Sequence, residues 1–464
     1  MCKRFMILIS LGMTIFVGCS SENTNTSENP QDPLHSEIAS PQTTPRELAI
    51  RTVNLFIAEE YNELYNSIEE DTQLYLGVYE FVDTCKAITE ALGTHIENES
   101  FIENFDYPNS YTIVEIYENG RLVLDIAISE NGNIDSIFAN VIPLTEKLID
   151  NDIFFEQEVT VGSEENLPLG ATLTIPKNID YPPVVILVQG SGSTDRNESV
   201  FMNTPFLDIA HGLAEQGIAS IRYDKRYFVY PEEAEILEEN LTLREEVLDD
   251  VNSIVQLLLN EQQVNSSQIY IAGHSLGGML APAIAYENPE IAGILSLAGS
   301  PRPLYEISYD QNQMSMEYML ANDPEMYDTL ADVFTWVEND IEILRGNFDG
   351  MANDSVLLGI YAGYQKSAKQ YAGENFVHLI DIPMFIAQGD ADFQVSVDKD
   401  FVAWQNVLEN KENVTYKIYE GLNHLLMPTT GLMSIEDYTV KNNVSPELIS
   451  DMANFIHSHK QIVE

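Results

Sequence analysis

Apolar residues in the first part of the chain follow a helical spacing and then a strand spacing. From Thr44 to Gly93 they recur every three to four residues, and Thr44-Pro45-Arg46-Glu47 has the residue types of a capped helix start. Residues 111–117 and 122–128 are rich in β-branched and apolar side chains, and Asn119-Gly120 between them is typical of a type I′ hairpin. Helices followed by an antiparallel meander predict a small α+β domain at residues 44–145.

The pattern changes at about residue 153, where short apolar runs alternate with amphipathic stretches. Residues 184–188 are apolar throughout, as in a strand buried on both faces. The pattern predicts a hairpin at 154–175, strands at 218–223, 268–272, 293–297, 384–387 and 414–419, and helices near 204–216, 241–261 and 277–287. We therefore expect an α/β domain at residues 153–464, with a mostly parallel sheet covered by helices on both faces.

One stretch of this second domain, at about residues 301–380, has no strand pattern and is predicted to be helical. An insertion of this length within an α/β domain is typical of a cap over a ligand site. The sequence therefore predicts a helical cap, with helical packing away from any ligand as the alternative.

The charge of the chain is strongly negative, with 22 Lys and Arg against 74 Asp and Glu, a formal net charge of −52. Because such a surface repels phosphates, we expect no nucleic-acid partner and no binding to anionic lipid head groups. The acidic residues are spread along the chain, which favours a solubilising surface over a dedicated cation site.

The first 19 residues have the layout of an export signal. Lys3 and Arg4 precede an apolar run that is short for a membrane span, and Val17-Gly18-Cys19 at its end looks like a bacterial lipobox. This predicts a lipoprotein signal peptide at 1–19 with lipidation at Cys19, a polar tether at 20–43, and an extracytoplasmic protein that meets the membrane only through its lipid. An ordinary signal peptide or an uncleaved anchor is the alternative.

Gly273-His274-Ser275-Leu276-Gly277 is the motif with the most specific chemistry. An apolar strand precedes it and a helix of small residues follows it, so the serine is predicted to lie on a sharp strand-to-helix turn. The two glycines avoid clashes in such a turn, and the hydroxyl is presented above the sheet. The pattern predicts Ser275 as a nucleophile, with a structural helix N-cap serine as the alternative.

A serine nucleophile needs a base and a carboxylate, which follow it in that order on such sheets. His424 comes just after the last predicted strand and is the predicted general base, whereas His378, His457 and His459 are expected to be structural or solvated. The acid is expected after the penultimate strand, where Asp392 is favoured over Asp390.

Backbone amides are predicted to stabilise the oxyanion that forms during such an attack. One is the amide of Leu276, and the other is expected from the small-residue loop after residues 184–188, at Ser191. Asp195 and Arg196 are expected to fix this loop through ion pairing, and the charges of residues 222–226 to brace neighbouring loops. The sequence has no metal-ligand cluster, phosphate loop or nicotinamide fingerprint, so no metal and no cofactor are predicted.

Residues 153–460 resemble bacterial α/β-hydrolases of the esterase and serine-aminopeptidase-like group. The motifs that carry the resemblance are Gln189-Gly190-Ser191-Gly192, Asp195-Arg196, Arg222-Tyr223-Asp224-Lys225-Arg226, Gly273-His274-Ser275-Leu276-Gly277-Gly278, Ala298-Gly299-Ser300-Pro301-Arg302-Pro303, Gln388-Gly389-Asp390-Ala391-Asp392-Phe393-Gln394-Val395 and Asn423-His424. Residues 44–145 look like the small DUF3887-type domain that often precedes such enzymes.

The resemblance implies a triad of Ser275, Asp392 and His424 and carboxylesterase activity on a small-molecule ester. The family usually has His at the position of Gln189, so this departure is expected to alter the shape of the oxyanion loop without removing activity.

Two alternative functions stay open. A peptidase or amidase on the same triad would need an acidic pocket for a free amine, with candidates at Asp323, Glu325, Asp328, Asp332 and Glu338. A cell-surface binding protein that acts through its N-terminal domain is the other.

Overall fold

The computed structural model describes most of the chain beyond residue 43. The described residues are 44–73, 78–104, 108–129, 131–144, 147–162, 167–322, 331–431 and 435–459. The predicted signal peptide, Cys19 and the tether at 20–43 lie outside them and stay predictions. None of the described helices is long and apolar enough to cross a membrane. The chain divides into two compact units at residues 144/145.

The N-terminal unit consists of helices followed by an antiparallel sheet, as the hydrophobic pattern predicts. Its described helices are Pro45–Ile57, Tyr61–Asn66, Glu70–Gln73 and Val78–Leu92. Its strands, in their order across the sheet, are β1 (His95–Asn104), β2 (Ser110–Tyr117), β3 (Gly120–Ile128) and β4 (Ile134–Pro143). The predicted capping box is present, because the Thr44 hydroxyl accepts from the Glu47 amide and the Glu47 carboxylate accepts from the Thr44 amide.

The β2–β3 hairpin forms where it is predicted, but the type I′ turn expected from Asn119-Gly120 is wrong. That turn needs positive φ at both central residues, and neither Asn119 nor Gly120 has a positive φ. The amides of Glu118 and Asn119 instead donate to the carbonyls of Thr94 and Leu92, at 2.9 and 3.0 Å. These bonds to the end of the preceding helix set the turn conformation in place of the local preference.

The second unit is built on an eight-stranded sheet. Its strands are β5 (Phe154–Val161), β6 (Leu169–Pro176), β7 (Val184–Val188), β8 (Ala219–Tyr223), β9 (Ile269–His274), β10 (Ile291–Leu297), β13 (Met384–Gly389) and β14 (Val414–Tyr419); the short β11 (Val356–Leu357) and β12 (Ile360–Tyr361) pair with each other elsewhere. The order across the sheet is β14-β13-β10-β9-β7-β8-β6-β5. The strands from β14 to β8 run parallel, and β5 and β6 form the predicted antiparallel hairpin at the edge.

Helices cover both faces of this sheet, which confirms the predicted α/β architecture. The described helices are Pro205–Glu215, Arg226–Val229, Pro231–Leu237, Asp249–Asn260, Leu276–Glu287, Leu304–Asn322, Ala331–Arg345, Ala362–Gln370, Val402–Val407 and Pro446–Ser458. Alternate residues of β7 enter separate cores, because Val184, Ile186 and Val188 pack on one face and Val185 and Leu187 on the other. This explains why β7 is apolar at every position.

The segment predicted to be a cap lies between β10 and β13 and is mainly helical. Its described elements are Leu304–Asn322, Ala331–Arg345, the β11–β12 hairpin and Ala362–Gln370. Gln311 on its first helix donates to the carbonyl of Gln394 at 3.1 Å. The insertion therefore contacts the loop that follows β13, where the acid of the site is predicted.

Candidate active site

Ser275 lies at a sharp turn between β9 and the helix Leu276–Glu287. Its φ of 52° and ψ of −114° form a backbone conformation that a residue with a Cβ rarely adopts. The Ser275 amide donates to the carbonyl of Leu297 on the adjacent strand at 2.9 Å, and its carbonyl accepts from Met279 inside the helix at 3.0 Å. The strained residue is thus held from both sides, as a serine that projects from the end of a strand requires.

The two glycines of the motif are required by close backbone contacts. A Cβ on Gly273 would lie 2.1 Å from the carbonyl oxygen of Gly277, and a Cβ on Gly277 would lie 2.2 Å from the carbonyl oxygen of Val188. Both distances are far inside van der Waals contact with backbone atoms. The glycines therefore allow the helix to start directly against β7 and β9.

We expect Gly277→Ala to destabilise the protein by about 3 kcal/mol or more, because the new methyl group forces the helix away from β7. The free energy of unfolding from urea titration measures this effect. Gly350→Ala is the matched control, since a Cβ there has no atom within 4 Å and the change should stay within about 0.5 kcal/mol. Equal stability of the two variants would contradict the close approach at the elbow.

His424 and Asp392 are hydrogen-bonded to each other in the interior. His424 Nδ1 lies 2.7 Å from Asp392 Oδ2, and both side chains are fully buried. The other Asp392 oxygen accepts from the amides of Gln394 and Val395 at 2.8 and 2.9 Å. His424 Nε2 has no hydrogen-bond partner among the described residues, so it is available to a hydroxyl or a substrate.

Asp390, the alternative acid, has a different role in the structure. Its Oδ1 accepts from the amide of Gly421 at 2.6 Å, which fixes the turn that leads from β14 towards His424. The geometry therefore favours Asp392 as the partner of His424. Of the other late histidines, His378 is exposed, whereas His457 Nε2 lies 2.9 Å from the Gln216 oxygen and His459 Nδ1 lies 2.8 Å from the Phe455 oxygen.

The loop after β7 lies directly beside Ser275. A Cβ on Gly190 would be 3.2 Å from the Ser275 Cβ, so the glycine allows this loop to reach the nucleophile. The Gly190 amide is occupied, since it donates to Glu198 Oε1 at 2.5 Å. The amides of Ser191 and Leu276 have no acceptor among the described residues. These are the two amides that the sequence predicts as oxyanion donors.

Charged side chains brace this loop from outside. Arg196 pairs with Asp224 at 2.6 Å and with Glu158 at 2.7 Å, and Asp195 accepts from the Ser199 amide at 2.8 Å. Gln189, which stands where the family usually has His, donates to the carbonyl of Tyr223. Its side chain thus ties the start of the loop to β8.

Three buried ionisable side chains lie next to this loop, and the sequence predicts a role only for Lys225, as one of the charges at 222–226 that brace neighbouring loops. Glu198 and His274 bind each other, and Lys225 binds the Gly190 carbonyl oxygen at 2.9 Å. The sequence does not indicate that these three residues lie beside the loop. The one relevant feature is that Lys225, a charged residue, follows the apolar strand β8. Within the described ranges, no three His, Cys, Asp or Glu side chains form a group that could hold a metal ion.

A parallel sheet with helices on both faces, and a strained serine at the end of a central strand, define an α/β-hydrolase. Comparisons with known proteins agree: the family described as serine aminopeptidase, S33, matches residues 204–429. Esterase EstD of Thermotoga maritima is 30% identical over 350 residues, which cover 75% of this chain and 79% of the relative. The chain belongs to this family of α/β-hydrolases, and it is a hydrolase.

Solved structures with a similar fold include two esterases. Est1E from Butyrivibrio proteoclasticus has 18% identity and a TM-score of 0.39, and covers 65% of this chain and 99% of its own. The Pyrococcus furiosus esterase PF2001 has 14% identity and a TM-score of 0.40, and the match covers 68% of this chain and 97% of that esterase.

The resemblance of residues 44–145 to a DUF3887-type domain stays a prediction.

Proposed function

We propose that the protein is a carboxylesterase that cleaves esters of small or medium acyl groups through a covalent intermediate on Ser275. The observation that carries this proposal is the buried hydrogen bond between Asp392 and His424, which leaves His424 Nε2 without a partner. An imidazole held in this way is a base with a fixed tautomer. The esterase activity of the Thermotoga relative supports the same reaction.

In the proposed reaction the Ser275 Oγ attacks the ester carbonyl carbon while His424 Nε2 accepts the hydroxyl proton. The amides of Ser191 and Leu276 then donate to the negative oxygen of the tetrahedral intermediate. The intermediate collapses as the imidazolium gives its proton to the leaving alcohol, and an acyl-enzyme forms. Water, deprotonated by His424, attacks the acyl-enzyme and releases the acid with Ser275 restored.

A panel of p-nitrophenyl esters and aminoacyl p-nitroanilides tests this proposal. We expect the purified protein to hydrolyse p-nitrophenyl acetate, butyrate and octanoate, and to hydrolyse them faster than it hydrolyses aminoacyl p-nitroanilides. Circular dichroism of the same sample verifies that the protein is folded. A folded protein with no turnover of any ester would contradict the proposed function.

Peptidase or amidase activity is the second candidate, and the serine aminopeptidase description of the matching family supports it. Of the acidic residues suggested for a free amine, Asp323, Glu325 and Asp328 lie outside the described residues, as does the side chain of Asp332. Glu338 is exposed and hydrogen-bonds to Tyr309 and Gln313, at 3.1 and 2.5 Å. Turnover of the anilides that exceeds turnover of the esters would favour this candidate.

A further inference from the structure

The peptide units on either side of Gly190 are each bound by a buried charged side chain. The amide of Gly190 donates to Glu198, and the carbonyl oxygen of Gly190 accepts from the Lys225 ammonium at 2.9 Å. Glu198 is 4% exposed and Lys225 is 1% exposed. Burying a charged side chain is costly unless it has strong partners. The two buried charges that bind the Gly190 amide and the Gly190 carbonyl therefore indicate that the orientation of these two peptide groups is important for function.

Lys225 acts on the peptide unit that carries the predicted oxyanion donor. The carbonyl of Gly190 and the amide of Ser191 belong to the same peptide plane, and the described chain has no cis peptide bonds. In a trans peptide the C=O and N–H bonds point in opposite directions. When the carbonyl is fixed on Lys225, the Ser191 N–H is therefore aimed away from Lys225. A cation on the carbonyl oxygen also polarises the peptide and strengthens its N–H as a donor.

The ammonium of Lys225 is itself held in place by groups from two further elements. Glu246 Oε1 accepts from Lys225 Nζ at 2.7 Å, and Glu246 Oε2 accepts from the Tyr364 hydroxyl at 2.6 Å. Tyr364 belongs to the helix Ala362–Gln370 of the segment between β10 and β13. The orientation of the Ser191 amide thus depends on a chain of three side chains, of which Lys225 and Glu246 are buried and Tyr364 is partly buried.

Glu198 links the same loop to the loop of the base. Its Oε1 also binds His274 Nδ1 at 2.9 Å, and His274 Nε2 lies 2.8 Å from the carbonyl oxygen of His424. Both partners of the His274 ring are acceptors, so the two hydrogen bonds form together when the imidazole carries both protons. Burial lowers the pKa of His274, but Glu198 and the His424 carbonyl together raise it by more, so the pKa lies above its usual value.

We propose that Lys225 and Glu198 are positioning residues of this hydrolase, which orient the two peptide units at Gly190 so that the Ser191 amide faces the reacting carbonyl oxygen. The inference rests on the proposed ester hydrolysis at Ser275. Neither residue touches the substrate, and both act through the backbone. Loss of either contact should raise the energy of the transition state more than that of the bound ester, since the oxyanion needs the donor most.

The first test replaces the buried ion pair with a neutral pair, Lys225→Met with Glu246→Gln, so that no unpaired charge is left inside. We expect kcat for p-nitrophenyl butyrate to fall by about 10- to 100-fold with KM changed much less, because one oxyanion donor is misaligned. The matched control is Arg226→Met with Asp250→Asn. It removes the adjacent, partly buried ion pair, in which Arg226 donates to the carbonyl oxygen of Leu167 instead of that of Gly190.

The outcomes of this test separate the possible roles. A kcat that falls only in the Lys225/Glu246 variant, at a thermal midpoint similar to that of the control, supports the proposal. An equal kcat in both double variants assigns Lys225 to stability alone and overturns it. An inactive wild-type protein that also fails to react with a fluorophosphonate contradicts the proposed ester hydrolysis itself.

Glu198 is tested by a conservative and a truncating variant. A glutamine oxygen can accept from both Gly190 and His274, whereas alanine removes the acceptor. We therefore expect Glu198→Gln to retain much of kcat, and Glu198→Ala to lose it by about 10-fold or more. Glu156→Ala is the control, because Glu156 on β5 is an equally buried carboxylate that binds Arg222 and His211, so its removal also takes the carboxylate partner from a buried cation. Wild-type kcat in Glu198→Ala would overturn the role of this residue.

Discussion

Ser275→Ala is expected to lower kcat/KM for ester hydrolysis by about 10⁴-fold or more. The side chain that would carry the acyl group is then absent, and only the amides of Ser191 and Leu276 remain to stabilise attack by water. The fold should be retained, because the Ser275 side chain does not cap the helix that follows it and the Ser275 backbone amide keeps its bond to Leu297. Initial rates with p-nitrophenyl butyrate measure the effect.

Ser220→Ala is the matched control for this variant. Ser220 is a fully buried serine of β8, and its hydroxyl has no partner among the described residues. Its removal should leave both kcat and the thermal midpoint close to the wild-type values. If Ser275→Ala kept more than about a tenth of the wild-type rate, while the protein stayed folded, Ser275 would not be the nucleophile.

Asp392→Asn is expected to lower kcat by about 10⁴-fold. The amides of Gln394 and Val395 both donate to Asp392 Oδ1, so an asparagine would keep its oxygen there. Its NH₂ group would then face His424 Nδ1 and also Gln388 Nε2, which donates to Asp392 Oδ2 at 2.6 Å in the wild-type protein. The imidazole would have to accept at Nδ1 and carry its proton at Nε2, where it cannot take a proton from Ser275.

Asp390→Asn is the matched comparison, because Asp390 lies two residues from Asp392 and its carboxylate oxygen accepts from a backbone amide, that of Gly421. An asparagine oxygen can still accept from Gly421, so most of kcat should be retained. The pair of variants also separates the two acids that the sequence left open. A larger loss of kcat in Asp390→Asn than in Asp392→Asn would reverse the assignment.

The sequence predicts those parts of the fold in which the residue pattern of a short segment directly reflects the surroundings of that segment in the folded protein. β7 is apolar at every position because both of its faces are buried, and Gly273 is needed because a Cβ there would meet the Gly277 carbonyl oxygen within the same motif. The order of Ser275, Asp392 and His424 along the chain follows from the order of the strands that carry them. Such features can be inferred without knowledge of distant contacts.

Other features depend on contacts between residues far apart in the chain. The hairpin turn at Asn119 is set by the end of a helix, and the Gly190 carbonyl oxygen is bound by Lys225, which lies 35 residues further along the chain. Sequence alone gives a lysine at the end of β8 no preferred partner. The sequence therefore indicates that the loop after β7 belongs to the candidate site, but it does not indicate that Lys225 binds the Gly190 carbonyl oxygen.

The central claim is that Ser275 is the nucleophile of a serine hydrolase, and covalent labelling tests it most directly. Wild-type protein and the Ser275→Ala and Ser220→Ala variants are treated with a fluorophosphonate, followed by intact-mass and peptide mass analysis. We expect one phosphonyl group on the wild-type protein and on Ser220→Ala, located on Ser275, and none on Ser275→Ala. Labelling of Ser275→Ala to the same extent, or a folded wild-type protein without any label, would contradict it.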